Sequence, residues 1–100
     1  ACAVGWQLGV TAEAMQAAGE AQGLPPETAR ALALQTIFGA ARMLTESGEP
    51  AHVLRQRVTS PGGTTQAALE TFEAGGFRQL VDAAIAAATR RGRDLSAAND

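Results

Sequence analysis

The chain has 100 residues, the size of a single domain, and 8 arginines against 10 acidic residues give a formal net charge of -2. With no basic stripe interleaved with aromatic residues, nucleic acid is excluded as an expected partner. No apolar run reaches the ~20 residues of a membrane span, so neither a membrane partner nor a secretory signal is expected. Because Cys2 is the single cysteine, an internal disulfide is ruled out, which favours a cytoplasmic setting. Cys2 itself is expected to be inert.

Alanine dominates the apolar composition, with 23 alanines against 22 large apolar residues of the types Val, Leu, Ile, Met, Phe and Trp. Burying an alanine methyl contributes ~0.8 kcal/mol, whereas burying a large apolar side chain contributes ~2 kcal/mol. The core available to one copy of the chain is therefore thin. We expect a partner subunit or a further domain to complete it.

Five helical segments, separated by Gly and Pro and without a convincing alternating strand, predict an all-α fold. Glycine suits the left-handed position just past a helix end, and proline suits the first helical turn. On these signals the helices cover residues 10–21, a long segment between Pro25 and Gly48, and then residues 51–57, 64–74 and 77–91.

The second predicted helix is apolar on more than one face, which predicts a central position. On one face, mainly apolar residues recur every three to four positions from Ala29 to Leu44. Leu34, Phe38 and Ala41 form a second apolar strip. The small residues at 39–41 would allow another helix to approach closely.

The irregular stretch VTSPGGTT, residues 58–65, is a candidate anion site. Its two glycines let the backbone approach a ligand closely, and the helix that follows presents unpaired N–H groups at its positive end. The alternative is an ordinary turn in which Thr64 or Thr65 caps the helix. Because no Lys and Ser/Thr pair stands at P-loop spacing, nucleotide phosphate is not the expected anion.

This loop and its surroundings resemble the signature of the pyrroline-5-carboxylate reductase family. The match covers nearly all of residues 13–95, which makes it far more specific than a lone glycine-rich loop. The segments that carry it are VTSPGGTT at 58–65, AAL at 67–69 and EAGGFR at 73–78, and upstream EAM at 13–15, AG at 18–19, GLP at 23–25, QT at 35–36, GAA at 39–41 and ML at 43–44.

The resemblance implies an enzyme that reduces 1-pyrroline-5-carboxylate to L-proline, the last step of proline biosynthesis, with NADPH or NADH. In such an enzyme the matching part is a helical C-terminal domain that forms an intertwined homodimer, with assembly beyond the dimer left open. The cofactor is bound mainly by a separate dinucleotide-binding domain. Since no strand followed by G-x-G-x-x-G occurs here, this chain alone is expected to be inactive.

The resemblance also assigns the site for the small imino acid substrate. Backbone N–H groups of the loop and helix start are expected to bind the substrate carboxylate. The Thr65 hydroxyl is expected to hydrogen-bond the ring nitrogen and help deliver its proton, with water or an already protonated iminium as alternative sources. The expected substrate-binding residues are Ser60, Gly62, Gly63, Thr64 and Thr65, with Thr65 as the catalytic residue.

The chain departs from the family pattern over residues 1–12. A Gly-Ser-Gly-Pro-Ala-Tyr-like segment usually leads into the first helix, whereas this chain reads ACAVGWQLGVTA, with Trp6 unexplained. The stretch is a divergent lead into that helix, the boundary of an expressed segment or a wrongly assigned piece of chain, and it is assigned no function. The expected division is a divergent N-terminal segment at 1–12, a helical dimerisation and substrate-binding domain at 13–95, and a frayed tail at 96–100.

The remaining polar residues considered for a functional site are expected to have surface roles. His52 has no Cys or carboxylate partners at metal spacing, so no metal site is expected. Glu13 and Glu20, seven residues apart on the first helix, are expected to be solvated charges rather than an acid–base pair. The two arginines before the loop, Arg55 and Arg57, are expected to be solvated or to contact a second subunit.

Two other functions stay open on the sequence. One is a stand-alone helical oligomerisation module that lacks the activity, which a dinucleotide-binding domain encoded upstream of Ala1 would argue against. The other is a small-acid binding module that uses the 60–65 loop without redox chemistry, which titration with proline or a carboxylate analogue would test.

Overall fold

The computed structural model describes residues 7–99, and within them the chain is helical with no strand. The helices are α1 (Gln7–Ala21), α2 (Pro26–Glu46), α3 (Ala51–Arg57), α4 (Thr64–Ala74) and α5 (Phe77–Asn99). The predicted all-α class is confirmed. Cys2 and Trp6 lie outside the described residues.

The predicted helix bounds are correct for α3 and α4 and for the start of α5. Two predicted ends are wrong: α1 begins at Gln7 rather than near residue 10, and α5 continues to Asn99 rather than ending near residue 91. Gly92 lies inside α5 and does not have a positive φ, so it does not end the helix. A helical glycine costs only about 1 kcal/mol relative to alanine, which a long helix tolerates. The fraying expected for residues 96–100 stays a prediction.

The chain divides into two compact units, one of which is Leu8–Val58. In this unit α1 and α2 approach closely at Gly19, because a Cβ built on Gly19 would lie 3.3 Å from the Cβ of Ala29. Proline stands in the first turn of α2, as predicted, and Glu27 places its carboxylate at the positive end of the helix.

Few apolar side chains are buried in a single copy of the chain. Among the described residues the buried apolar ones are Ala29, Ala33 and Leu54. Five of the six large apolar side chains of α2 are exposed: Leu32, Leu34, Phe38, Met43 and Leu44. The thin core expected from the alanine-rich composition is therefore visible in the structure.

The second unit contains α4 and α5, which contact each other across the Gly75–Gly76 turn. The rings of Phe72 and Phe77 pack there with their centroids 4.7 Å apart and tilted by 34°. Arg78 pairs with Glu73 across the same turn at 2.6 Å. The hydrogen bond to Glu73 and the charge of that carboxylate raise the pKa of Arg78.

Within residues 7–99, no helix combines the length and apolar character that crossing a bilayer requires.

Candidate functional site

The loop before α4 is built around a tight turn at Ser60–Gly63. The N–H of Gly63 donates a hydrogen bond to the carbonyl oxygen of Ser60 at 2.9 Å. Gly62 has a φ of 73°. Proline at the second position, a positive φ at the third and a bond from the fourth residue back to the first are typical of a type II β-turn. The sequence Ser-Pro-Gly-Gly thus folds as its residue types predict.

Helix α4 begins at Thr64 directly after this turn, with Gly63 as its N-cap and no side-chain cap hydrogen bond. The alternative in which Thr64 or Thr65 caps the helix is therefore wrong. The first backbone bond across the helix start runs from the N–H of Ala67 to the carbonyl oxygen of Gly63, at 3.2 Å. The earlier N–H groups of an α-helix have no acceptor within the helix.

Three backbone amides are consequently free at the start of α4 within the described part of the chain: those of Thr64, Thr65 and Gln66. We call them the free amides of α4. They lie at the positive end of the helix dipole, where an anion is stabilised by both the N–H donors and the dipole. This geometry suits a carboxylate.

Both glycine amides of the loop have acceptors within the chain. The N–H of Gly63 bonds the carbonyl oxygen of Ser60, and the N–H of Gly62 donates to Oε1 of Gln66. Pro61 has no N–H. Of the predicted site residues, Thr64 and Thr65 therefore contribute free backbone donors, while Gly62 and Gly63 shape the turn. Gln66 was not predicted from the sequence, yet it carries the third free amide and the side chain that engages Gly62.

The hydroxyl groups of the loop differ in their surroundings. Ser60 and Thr64 are exposed, and Thr65 is half-buried in the first turn of α4. Within residues 7–99 the structure gives the Thr65 hydroxyl no hydrogen-bond partner, so the group is available to a ligand. The predicted catalytic role of Thr65 stays a prediction.

The other polar candidates lie away from this turn in the chain. His52 is exposed on α3, and Glu13 and Glu20 are exposed on α1. Arg57, the last residue of α3, forms an ion pair at 2.6 Å with Glu49, which precedes the helix. The pair offsets part of the positive charge that precedes the loop.

The comparisons with known proteins all indicate the same family. The family profile described as pyrroline-5-carboxylate reductase dimerisation matches residues 8–95. A pyrroline-5-carboxylate reductase from Pseudomonas aeruginosa is 53% identical over 85 residues, covering 84% of this chain and 31% of the relative. The Arabidopsis thaliana pyrroline-5-carboxylate reductase is 48% identical over 84 residues, which is 84% of this chain and 30% of the relative.

Solved structures agree with the sequence matches. A pyrroline-5-carboxylate reductase from Coxiella burnetii superposes with a TM-score of 0.85 at 45% identity, over 89% of this chain and 33% of the other. The Plasmodium falciparum pyrroline carboxylate reductase with NADP bound superposes with a TM-score of 0.82 at 33% identity, over 85% of this chain and 34% of the other.

The chain spans about a third of the length of the relatives that it matches. The profile, however, covers nearly the whole chain and includes both α2 and the loop before α4. The resemblance stated from the sequence is therefore confirmed: the chain belongs to the pyrroline-5-carboxylate reductase dimerisation family.

Proposed function

We propose that the protein carrying this chain is a pyrroline-5-carboxylate reductase, which reduces 1-pyrroline-5-carboxylate to L-proline with NADPH or NADH. In this proposal the chain supplies the dimer contacts and the binding site for the substrate carboxylate. The observation that carries it is the set of free amides of α4, which follows the Ser60–Gly63 turn without a side-chain cap. Family membership supplies the reaction.

The free amides of α4 hold the substrate carboxylate through two or three N–H donors at the positive end of the helix. This contact does not change during the reaction, so it contributes to substrate binding and to orientation of the ring. The Thr65 hydroxyl lies in the same helical turn and hydrogen-bonds the ring nitrogen. As the hydride adds to the carbon of the C=N bond, the nitrogen takes up a proton. Thr65 is one donor for it, and water or an already protonated iminium is the alternative.

The hydride comes from the nicotinamide cofactor. The Plasmodium falciparum relative was solved with NADP bound. This chain contains no G-x-G-x-x-G sequence, the fingerprint of a dinucleotide-binding turn. We therefore assign cofactor binding mainly to a separate domain.

A second copy of the chain is the proposed partner of α2. Most of its large apolar side chains are exposed in one copy, and the exposed fraction is 57% for Phe38 and 52% for Leu32. Burying such side chains contributes about 2 kcal/mol each, which makes their exposure in a finished assembly unfavourable. The family description names dimerisation, and we propose a homodimer that covers these side chains. We propose the cytoplasm as the compartment, on the single cysteine of the chain.

The decisive experiment is a hydride-transfer assay on the complete gene product with 1-pyrroline-5-carboxylate and NADPH or NADH. Oxidation of the cofactor that depends on the substrate, with proline as the product, supports the proposal. A dimer without turnover and without affinity for proline would identify an oligomerisation module instead. Binding of proline or a carboxylate analogue without turnover would identify a small-acid binding module.

A further inference from the structure

The side chain of Gln66 connects the loop to the body of α4. Its Oε1 accepts a hydrogen bond from the backbone N–H of Gly62, four residues earlier. Its Nε2 donates to Oε1 of Glu70, one helical turn later, at 3.0 Å. The three residues therefore form a continuous hydrogen-bonded chain from the β-turn to the second turn of the helix.

The chemistry of the two neighbours requires an amide at this position. The N–H of Gly62 is only a donor, and an ionised Glu70 carboxylate is only an acceptor. A carboxamide satisfies both, with its oxygen toward Gly62 and its NH₂ group toward Glu70. A carboxylate at position 66 would face the carboxylate of Glu70, and an apolar side chain would leave both groups without this partner.

The contact also determines which amides of the loop face a ligand. With its N–H bonded to Gln66, the peptide of Gly62 is turned back toward α4. The N–H of Gly63 is likewise directed to Ser60. The turn is thereby held against the helix start, and the free amides of α4 remain without an internal acceptor.

We infer that Gln66 is a positioning residue of the carboxylate site: its side-chain amide, oriented by Glu70, holds the Gly62 peptide so that the free amides of α4 stay accessible to the substrate. This inference rests on the proposed function. Gln66 contributes to the site in two ways, through its backbone N–H as a donor and through its side chain as the clamp on the turn.

The test is Gln66→Met in the complete gene product. Methionine keeps the length, the helix propensity and the backbone N–H of residue 66 but loses the hydrogen-bonding groups of the amide. We expect KM for 1-pyrroline-5-carboxylate to rise about 3- to 10-fold, the equivalent of one ordinary hydrogen bond. We expect kcat to stay within about twofold, since the carboxylate contact is the same in the ground state and the transition state.

Matched variants separate positioning from general stability. Gln79→Met makes the same change at an exposed glutamine of α5 and is expected to leave KM unchanged. Glu70→Gln keeps an oxygen acceptor for the Gln66 amide and should retain the wild-type KM, whereas Glu70→Met removes the acceptor and should raise KM. If KM is unchanged in Gln66→Met, or if Gln79→Met raises it equally, the inference is overturned.

Hydrogen–deuterium exchange of the segment 59–66 tests the same contact without relying on activity. Exchange in Gln66→Met should be faster than in the wild type over this segment and unchanged in α5. Unchanged exchange over 59–66 overturns the inference. If Gln66→Met shows this faster exchange but the wild-type protein does not reduce the imine, the proposed function is overturned and the contact of Gln66 with the turn stays supported.

Discussion

The N–H of Gly63 donates to the carbonyl oxygen of Ser60 at 2.9 Å, and this contact leaves little room beside Gly63. A Cβ built on Gly63 would lie 3.2 Å from the Ser60 carbonyl oxygen and 3.3 Å from the Ser60 Cβ. We expect Gly63→Ala to displace the turn and to raise KM for the substrate, measured by steady-state kinetics on the complete gene product. Wild-type KM in this variant would contradict the role of the turn.

A substitution at Gly62 tests backbone strain, as opposed to steric room, in the same turn. A Cβ on Gly62 would meet nothing within 4 Å, but its φ of 73° lies in the left-handed region. Gly62→Ala should therefore lower the free energy of unfolding by ~1–2 kcal/mol through backbone strain alone. Gly92→Ala is the control, because Gly92 lies in α5 with open space around it. The control should gain ~0.5–1 kcal/mol. Thermal or denaturant unfolding at fixed protein concentration measures both changes.

Thr65 is predicted to act on the reacting nitrogen through its hydroxyl. Thr65→Ala should lower kcat about 10- to 100-fold, the range expected for loss of a hydrogen bond to a charged group. Thr65→Ser keeps the hydroxyl and should retain most of the activity. Thr71→Ala is the matched control on the same helix, since the Thr71 hydroxyl bonds the carbonyl oxygen of Ala67 at 2.9 Å. Equal kcat in Thr65→Ala and the wild type would remove Thr65 from the mechanism.

A substitution at Phe38 tests the proposed homodimer. This side chain is 57% exposed in one copy of the chain, and a charge placed there would be buried unpaired against the second copy. Phe38→Arg should weaken the dimer about 30-fold or more, as for a residue at the centre of an interface. Gln22→Arg adds the same side chain at an exposed position in the turn after α1 and should leave the dimer intact. Analytical ultracentrifugation across a concentration series distinguishes the outcomes, and an unchanged dissociation constant for Phe38→Arg would exclude α2 from the interface.

The ring pair of Phe72 and Phe77 is expected to stabilise the turn between α4 and α5. Its centroid separation of 4.7 Å lies in the favourable range for aromatic pairs. A double-mutant cycle with Phe72→Leu and Phe77→Leu should give a coupling free energy of ~0.5–1.5 kcal/mol. Chemical unfolding of the four proteins measures this quantity. Strictly additive effects would show that the two rings act independently.

The turn and the helix start of the proposed carboxylate site were predicted from the sequence. The Ser60–Thr65 motif and the helix start after it were recognised because glycine, proline and helix ends have strong local backbone preferences. The acceptors of the two glycine amides, Ser60 for Gly63 and Gln66 for Gly62, could not be predicted from the sequence. The contact of Gln66 cannot be predicted from the sequence, because a glutamine on a helix surface carries no signal by itself. Its role depends on where the N–H of Gly62 points.

The helical class and most helix bounds of this protein follow from the order of its residues alone. Pro26 and Pro50 restrict the backbone locally, and Gly76 permits the left-handed conformation after α4, so these effects can be predicted without knowing the partners of each segment. The folded structure was needed to show which amides remain free at α4 and which apolar side chains of α2 stay exposed. These properties depend on distances between groups that the chain brings together. Hydrogen bonding and burial are pairwise effects, and only a folded chain specifies the pairs.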